Sequence, residues 1–196
     1  MRHGETAANK EGRLQGHGNE PLNEGGKVQA RIVGEKLKSE KIDFIISSDL
    51  RRASETAEII GAVTGAEVVH DVGMRDRNHG EAEGMLRGDA LLKYGNLYSY
   101  DARVGGGESY REVEERIWPI FEKHRKRNGD KNVLIVTHGG VLRMLIKKLR
   151  NLSIEEAMIR GSIKNGEILS FSAGLPCEKC GSHFFEQDSD TLDTWF

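Results

Sequence analysis

Short apolar runs alternate with amphipathic stretches along this chain. Phe44-Ile45-Ile46 and Val133-Leu134-Ile135-Val136 are uninterrupted apolar runs, the pattern of strands buried on both faces. Val68-Val69 predicts a further short strand, and Glu167-Ile168-Leu169-Ser170-Phe171 a last one. Between these runs the spacing turns helical. Asn23 can cap a helix over about 24–39 with Val28, Ile32, Val33 and Leu37 on one face. Asp49 is placed to cap a second, whose inner face is Ala53, Ala57, Ile60 and Val63 and which Gly65 ends. Ser109-Tyr110-Arg111-Glu112 has the form of a capping box. It opens a helix with Val113, Ile117, Ile120 and Phe121 inside, bent near Pro119. The 133–136 strand is followed at once by a helix burying Val141, Leu142, Leu145, Ile146 and Leu149.

Strands alternating with helices predict an α/β fold, a three-layer sandwich with a mostly parallel sheet and helices on both faces. Two stretches carry no sustained period. Residues 7–22 read as a long polar loop, and residues 73–107 as a long excursion over the functional face. In such sheets ligands bind beyond the C-terminal ends of the strands. Ser48-Asp49 and Thr137-His138 both stand just past predicted strand ends and are expected to share one crevice.

Composition narrows the function. At 196 residues, with 37% hydrophobic and 31% charged positions, the chain fits one domain with an appendage. No run of eighteen apolar residues and no apolar leader is present, so no membrane span and a cytoplasmic location are expected. A net charge of −2 offers no field for nucleic acid or an acidic membrane. An anionic substrate must therefore be captured by local arginines, and the basic cluster at 123–127 reads as a solvated helix end. Cys177 and Cys180 are at most half of a zinc site, since a closed site needs four ligands.

Candidate chemistry begins at Arg2-His3-Gly4. An imidazole is a nucleophile at neutral pH, a guanidinium is a planar fork for phosphate oxygens, and glycine lets a phosphate approach the backbone. A second such piece, Thr137-His138-Gly139-Gly140, directly follows an apolar run. With Asn9, Gly12-Arg13-Leu14-Gln15-Gly16, Ser48-Asp49-Leu50-Arg51-Arg52-Ala53, Gly80-Glu81-Ala82-Glu83-Gly84 and Gly106-Gly107-Glu108-Ser109, these stretches occur in the order found in a known family. Over residues 1–174 the chain resembles the histidine phosphatase, or phosphoglycerate mutase-like, superfamily.

The resemblance implies roles. His3 would attack phosphorus and become phosphohistidine; Arg2, Arg52 and His138 would hold the phosphoryl oxygens, with Asn9 and the Gly139 amide as further donors. Arg51 would point to solvent. Asp76 stands where the family carries its acid, and Glu81 is the alternative. No cofactor is implied, and the substrate would be a small phosphorylated metabolite. A shorter chain and His17 at a position where family mutases carry tryptophan favour a metal-independent phosphatase over the alternative, a phosphoglycerate mutase. The family also has a buried strand ahead of the arginine-histidine turn. Here Met1 stands next to Arg2, so that strand is expected to be missing, and an uncovered sheet position would favour a homodimer. Residues 175–196, ending Leu192-Asp193-Thr194-Trp195-Phe196, resemble a short piece of valyl-tRNA synthetase. That tail leaves a third alternative, an inactive phosphatase-like appendage of a synthetase.

Overall fold

The computed structural model describes residues 1–129, 131–160 and 163–171. Three parallel strands form its sheet in the order β2 (Glu67–His70), β1 (Phe44–Ser47), β3 (Val133–Val136). Ile45 pairs with Val68 on one side and with Leu134 on the other. Alternation along the strands then builds two cores. Ile45, Leu134 and Val136 face α2 (Glu24–Leu37) and α3 (Arg51–Thr64), packing on Val33, Ala53, Ala57 and Ile60. Ile46 faces α5 (Tyr110–Asn128) and α6 (Gly139–Leu149), packing on Val113, Ile117, Val141 and Leu145. The predicted three-layer arrangement is present, with β2 as its exposed edge.

The sheet has more than its named strands. Met1–His3 run beside β3 on the side away from β1: Thr137 N donates to Met1 O at 3.0 Å and His3 N donates to Thr137 O at 2.9 Å. On its far side Arg2 N donates to Glu167 O at 3.1 Å, and Gly166 N returns a bond to Arg2 O. The predicted strand over 167–171 is therefore a correction. Within 167–171, Glu167 bonds its main chain to this edge, and the rest of the stretch is irregular among the described residues.

Helix starts follow local chemistry, with two departures. The Ser109–Glu112 capping box and the Asn23 cap form as predicted. Asp49 does not cap α3; Leu50 holds that position without a side-chain cap, because the Asp49 carboxylate is taken by Arg75 Nε at 2.7 Å. The inner face of α2 also differs. Val28 and Ile32 are exposed, while Gly26, Ala30, Val33 and Gly34 are buried. Small residues win because α2 is pressed close to main chain and to α3: a Cβ on Gly26 would lie 2.1 Å from Glu5 O, and one on Gly34 2.9 Å from Val63 Cβ.

Both stretches read as loops hold structure. Thr6 and Asn9 make a reciprocal capping box that starts α1 (Ala7–Glu11), and Gly12 closes it in the left-handed region at φ 73°. Residues 73–107 contain α4 (Arg87–Tyr94), followed by α5 and preceded by two short 3-10 turns, and have a small core of their own. In it Leu14 meets Ala82, Ala90, Leu97 and Val104. Arg77, 1% exposed, ties this excursion together by donating to Glu108 O, Leu97 O and Ala102 O, with its guanidinium over the Tyr110 ring. After α6 comes α7 (Ile154–Arg160). No helix among the described residues is long and apolar enough to cross a membrane. Cys177, Cys180 and the synthetase-like tail at 175–196 lie outside the described residues.

Replacing Gly26 with alanine forces a methyl group into the Glu5 backbone. Urea unfolding followed by circular dichroism should show a loss of about 2–3 kcal/mol. A neutral result would mean that α2 can move away from the first turn.

Candidate active site

Parallel strands deliver their C-terminal ends to one edge of the sheet, and two histidines meet there. His3 follows the Met1–Arg2 segment and His138 follows β3; their ring centroids are 5.2 Å apart. Both are buried. His3 Nδ1 lies 2.7 Å from the Gly4 carbonyl oxygen, which only accepts, so Nδ1 carries the proton and Nε2 keeps its lone pair. Gly4 N in turn donates to Thr56 Oγ1 at 3.0 Å, pinning the turn to α3.

His138 is held as the other tautomer. Its Nδ1 accepts from Arg52 Nε at 3.2 Å, so Nε2 donates to Ser48 Oγ at 2.9 Å. Burial first, then the positive charges of Arg52 and Arg2, holds His3 well below the ordinary histidine range. The same causes act on His138, with Arg52 again the strongest neighbouring charge. Both rings are therefore neutral near pH 7.

Arginines surround the pair. Arg52 is fully buried on α3, donating to Gly16 O and Gly18 O at 2.7 Å each. Arg2 donates to Ile163 O at 2.8 Å while its buried Nε has no partner among the described residues. Burial brings Arg2 down to about 10; Arg143, Arg87 and Arg52 add to this, against the opposing pull of Asp76. Gly139 opens α6 beside the same guanidinium: a Cβ there would come 3.7 Å from Arg2 Nε. Asn9 sits in the first turn of α1, its Oδ1 taken by Thr6 and by Asn165 Nδ2. Arg51 is exposed and paired with Glu55, as expected.

The two candidate acids separate. Asp76 Oδ2 lies 3.6 Å from Arg52 and 3.9 Å from His138 Nδ1. Gly140 makes the room, since a Cβ there would be 2.9 Å from Asp76 Oδ1. Glu81 is exposed on its 3-10 turn, and no hydrogen bond or ion pair joins it to the histidines among the described residues. Among the described residues no three His, Cys, Asp or Glu side chains converge as metal ligands.

Sequence reasoning missed several neighbours. Ser48 is not one of them: it was expected to share a crevice with His138, and it partners that ring. His17 donates from Nε2 to Asp76 O at 3.0 Å, a contact its sequence position did not reveal, while its Nδ1 faces Asn78 Nδ2. Arg143 stands four residues after Gly139, on the same face of α6, which was the available signal. Its buried Nε is unpartnered among the described residues. Arg87 Nη1 donates to Tyr98 Oη at 2.8 Å, and Arg143 lies 5.9 Å from the Tyr98 ring.

Paired buried histidines ringed by arginines, beyond the C-terminal edge of a parallel sheet, make a site suited to an anionic group with a neutral imidazole nucleophile. The comparisons agree with that class. The histidine phosphatase superfamily (branch 1) matches residues 1–173, and the chain belongs to it. Members of that superfamily are phosphatases or mutases. The chain is 36% identical over 159 residues to phosphoglycerate mutase-like protein 4 of Arabidopsis thaliana, covering 76% of this chain and 69% of that protein. It is 33% identical over 172 residues to a metal-independent phosphoserine phosphatase of the same plant, covering 83% and 72%. Among solved structures, a mycobacterial glucosyl-3-phosphoglycerate phosphatase in complex with VO3 is similar at a TM-score of 0.77 and 29% identity, over 84% of this chain and 87% of that one. A phosphoserine phosphatase from Entamoeba histolytica in complex with 3-phosphoglyceric acid matches at 0.73 and 27%, over 84% of each chain.

The buried histidines set a sign for stability against pH. Their folded values lie below the ordinary 6.5, so the unfolded chain binds protons first as pH falls. Their contribution is full above about 6.5 and is lost below it, with a slope approaching about 1.4 kcal/mol per pH unit for each ring. Between pH 7.5 and 5.5, the unfolding free energy of His138→Gln should fall by about 1.4 kcal/mol less in total than that of the wild type. Equal slopes would mean that His138 is charged when folded.

Proposed function

We propose that this chain is a phosphatase that hydrolyses a small phosphomonoester through a phosphohistidine intermediate, without a cofactor. The observation that carries the reading is His3: a neutral imidazole, its proton held on Nδ1 by Gly4 O and its Nε2 free to attack, beside Arg2 and Arg52.

His3 Nε2 attacks phosphorus and the bond to the ester oxygen breaks. Arg2, Arg52 and the Gly139 amide gather the phosphoryl oxygens as charge spreads over them, with the Asn9 amide group as a further donor. A bound dianion raises the pKa of nearby groups, so His138 can take a proton on Nδ1 and help hold the same oxygens once Arg52 Nε turns from that nitrogen to the phosphate. Asp76 in its acid form gives its proton to the departing alkoxide. As a carboxylate it then takes one from the water that cleaves the phosphorus–nitrogen bond, releasing phosphate and restoring His3. Glu81, exposed on the excursion, is the weaker candidate for this step.

The substrate, on this reading, carries a second acidic group. Arg87 and Arg143 have no carboxylate partner among the described residues, and both meet Tyr98 on the Arg2 side of the site. An anion beyond the phosphate would relieve their mutual repulsion. The names of the similar proteins point the same way, since phosphoserine and phosphoglycerate both carry a carboxylate. Phosphoglycerate mutase remains the second reading because several similar proteins bear that name.

Turnover of p-nitrophenyl phosphate by the purified chain in chelator is the test. His3→Ala should lower it by a factor of about a thousand or more. Activity that survives this change would overturn the phosphohistidine route. With 3-phosphoglycerate, release of inorganic phosphate marks a phosphatase, and conversion to 2-phosphoglycerate without release marks a mutase.

Arg143→Met tests the second anion. KM for phosphoserine and 3-phosphoglycerate should rise about 10-fold to 100-fold, while KM for p-nitrophenyl phosphate changes by less than about twofold. An equal rise for all three would place Arg143 on the phosphoryl group instead.

A further inference from the structure

Arg116 has no part in the chemistry above, yet its guanidinium is among the most heavily used in the chain. It projects from α5, two turns after the Ser109 cap, to the segment that carries Asp76. Nη1 donates to Gly73 O at 2.6 Å and to Arg75 O at 3.2 Å, and Nη2 donates to Asp76 O at 3.2 Å. The same group is clamped by Glu108, with Nε to Oε1 at 2.9 Å and Nη2 to Oε2 at 3.1 Å. Glu108 Oε2 also accepts from Asn78 N at 2.9 Å, on the other side of Asp76. One arginine and one glutamate thus hold main-chain groups of residues 73, 75, 76 and 78.

The grip is selective. Arg2 and His3 are placed by β3, Arg52 by α3, and His138 by α6. None of these bonds to Arg116 or Glu108 among the described residues. Asp76 itself lies in no strand or helix: β2 ends at His70, and the segment then crosses the sheet edge as a 3-10 turn and irregular chain, tied to the layers before Asp76 by Thr137 Oγ1 on Met74 O and by Arg75 on Asp49. Among the described residues its carboxylate receives the Arg77 amide at 2.9 Å and the more distant Arg52 and His138. Carbonyl oxygens caught by a rigid five-donor fork leave that backbone few alternatives, whereas a lysine point charge could satisfy one or two of them.

Resting on the assignment of Asp76 as the acid, we infer that Arg116, clamped by Glu108, is a positioning residue that sets the acid's reach to the leaving oxygen without taking part in phosphoryl binding. Burial pushes the Glu108 carboxyl up, but its bonds from Arg116 and the Asn78 amide hold it below its ordinary value, so the clamp is ionised near neutrality. A misplaced acid has a distinct kinetic signature. It slows esters whose leaving group must be protonated and spares those whose leaving group departs as an anion.

The experiment compares phenyl phosphate with p-nitrophenyl phosphate in the full chain, with vanadate as a probe of phosphoryl binding. Arg116→Lys is expected to lower kcat/KM for both esters, but about tenfold further for phenyl phosphate, with vanadate inhibition within about threefold of the wild type. Asp76→Asn should show the same selective loss. Arg116→Lys added to Asp76→Asn should cost less than about twofold more, because both act through one group. If Arg116→Lys does not fold, Glu108→Gln, which keeps the shape and removes the charge, carries the same comparison. Equal losses on both esters, vanadate binding weakened in step, or independent effects in the double variant would overturn the inference and leave a structural role. A selective loss absent from Asp76→Asn itself would overturn the choice of acid. Failure of the wild type to hydrolyse either ester would instead overturn the phosphatase reading, and this inference with it.

Discussion

Two backbone hydrogen bonds on Thr137 decide where the histidines meet. Thr137 N donates to Met1 O and His3 N donates to Thr137 O, setting the first residues parallel to β3 and in register with its end. Parallel neighbours finish on the same edge, so the next residue of each, His3 and His138, emerges there, and the rings come to 5.2 Å. An antiparallel pairing would send them to opposite edges. The turn after His3 must then clear α2 at once. Two backbones cross with almost no gap: a Cβ on Gly4 would be 2.6 Å from Gly26 O. Glycine at both positions is what lets the Gly4 carbonyl face back to His3 Nδ1 and fix the tautomer.

Positive charge is concentrated around these rings and met mostly by carbonyl dipoles. Arg52 donates to Gly16 O and Gly18 O, and Arg2 to Ile163 O. A carbonyl satisfies a guanidinium N–H without cancelling its charge, so the field remains available to an incoming anion. Carboxylate partners would have cancelled it. Asp76, the carboxylate paired with Arg52 among the described residues, stands off at 3.6 Å. The cost of this arrangement appears in the depressed values of both histidines, which burial and the two arginines keep neutral. On the proposed route, where an imidazole offers a lone pair, that cost would serve the chemistry.

Much of the layered fold was legible in the sequence, because burial on both faces leaves a plain mark. Phe44–Ile46 and Val133–Val136 are continuous apolar runs, and the helices beside them carry caps that form as written. The histidine and arginine positions were legible through motif spacing, which the sheet edge then brings together. What was hidden depended on contacts between distant segments. Asp49 has the chemistry of a cap but is claimed by Arg75, and the inner face of α2 is glycine and alanine because a backbone lies against it. Helix α1 was missed because its box closes with asparagine rather than glutamate. The excursion at 73–107 hides its order differently. Its organiser is a buried arginine, Arg77, reaching three carbonyls, and charge at such a position reads in sequence as surface.

A division of labour follows from where each group is anchored. His3, His138, Arg2 and Arg52 hang on the sheet edge and the first turns of packed helices, where movement would disturb two hydrophobic cores. Asp76, Arg87 and Tyr98 belong to the excursion, whose own core is small and rests on Leu14. The excursion could therefore change its residues while the histidines and arginines at the sheet edge keep their places. Leaving-group chemistry and recognition of the rest of a substrate would then vary together, since one segment carries both. Arg116 is the exception that makes such variation safe. It spans from α5 into the segment that carries Asp76 and holds only backbone carbonyls there, a contact indifferent to which side chains the segment bears.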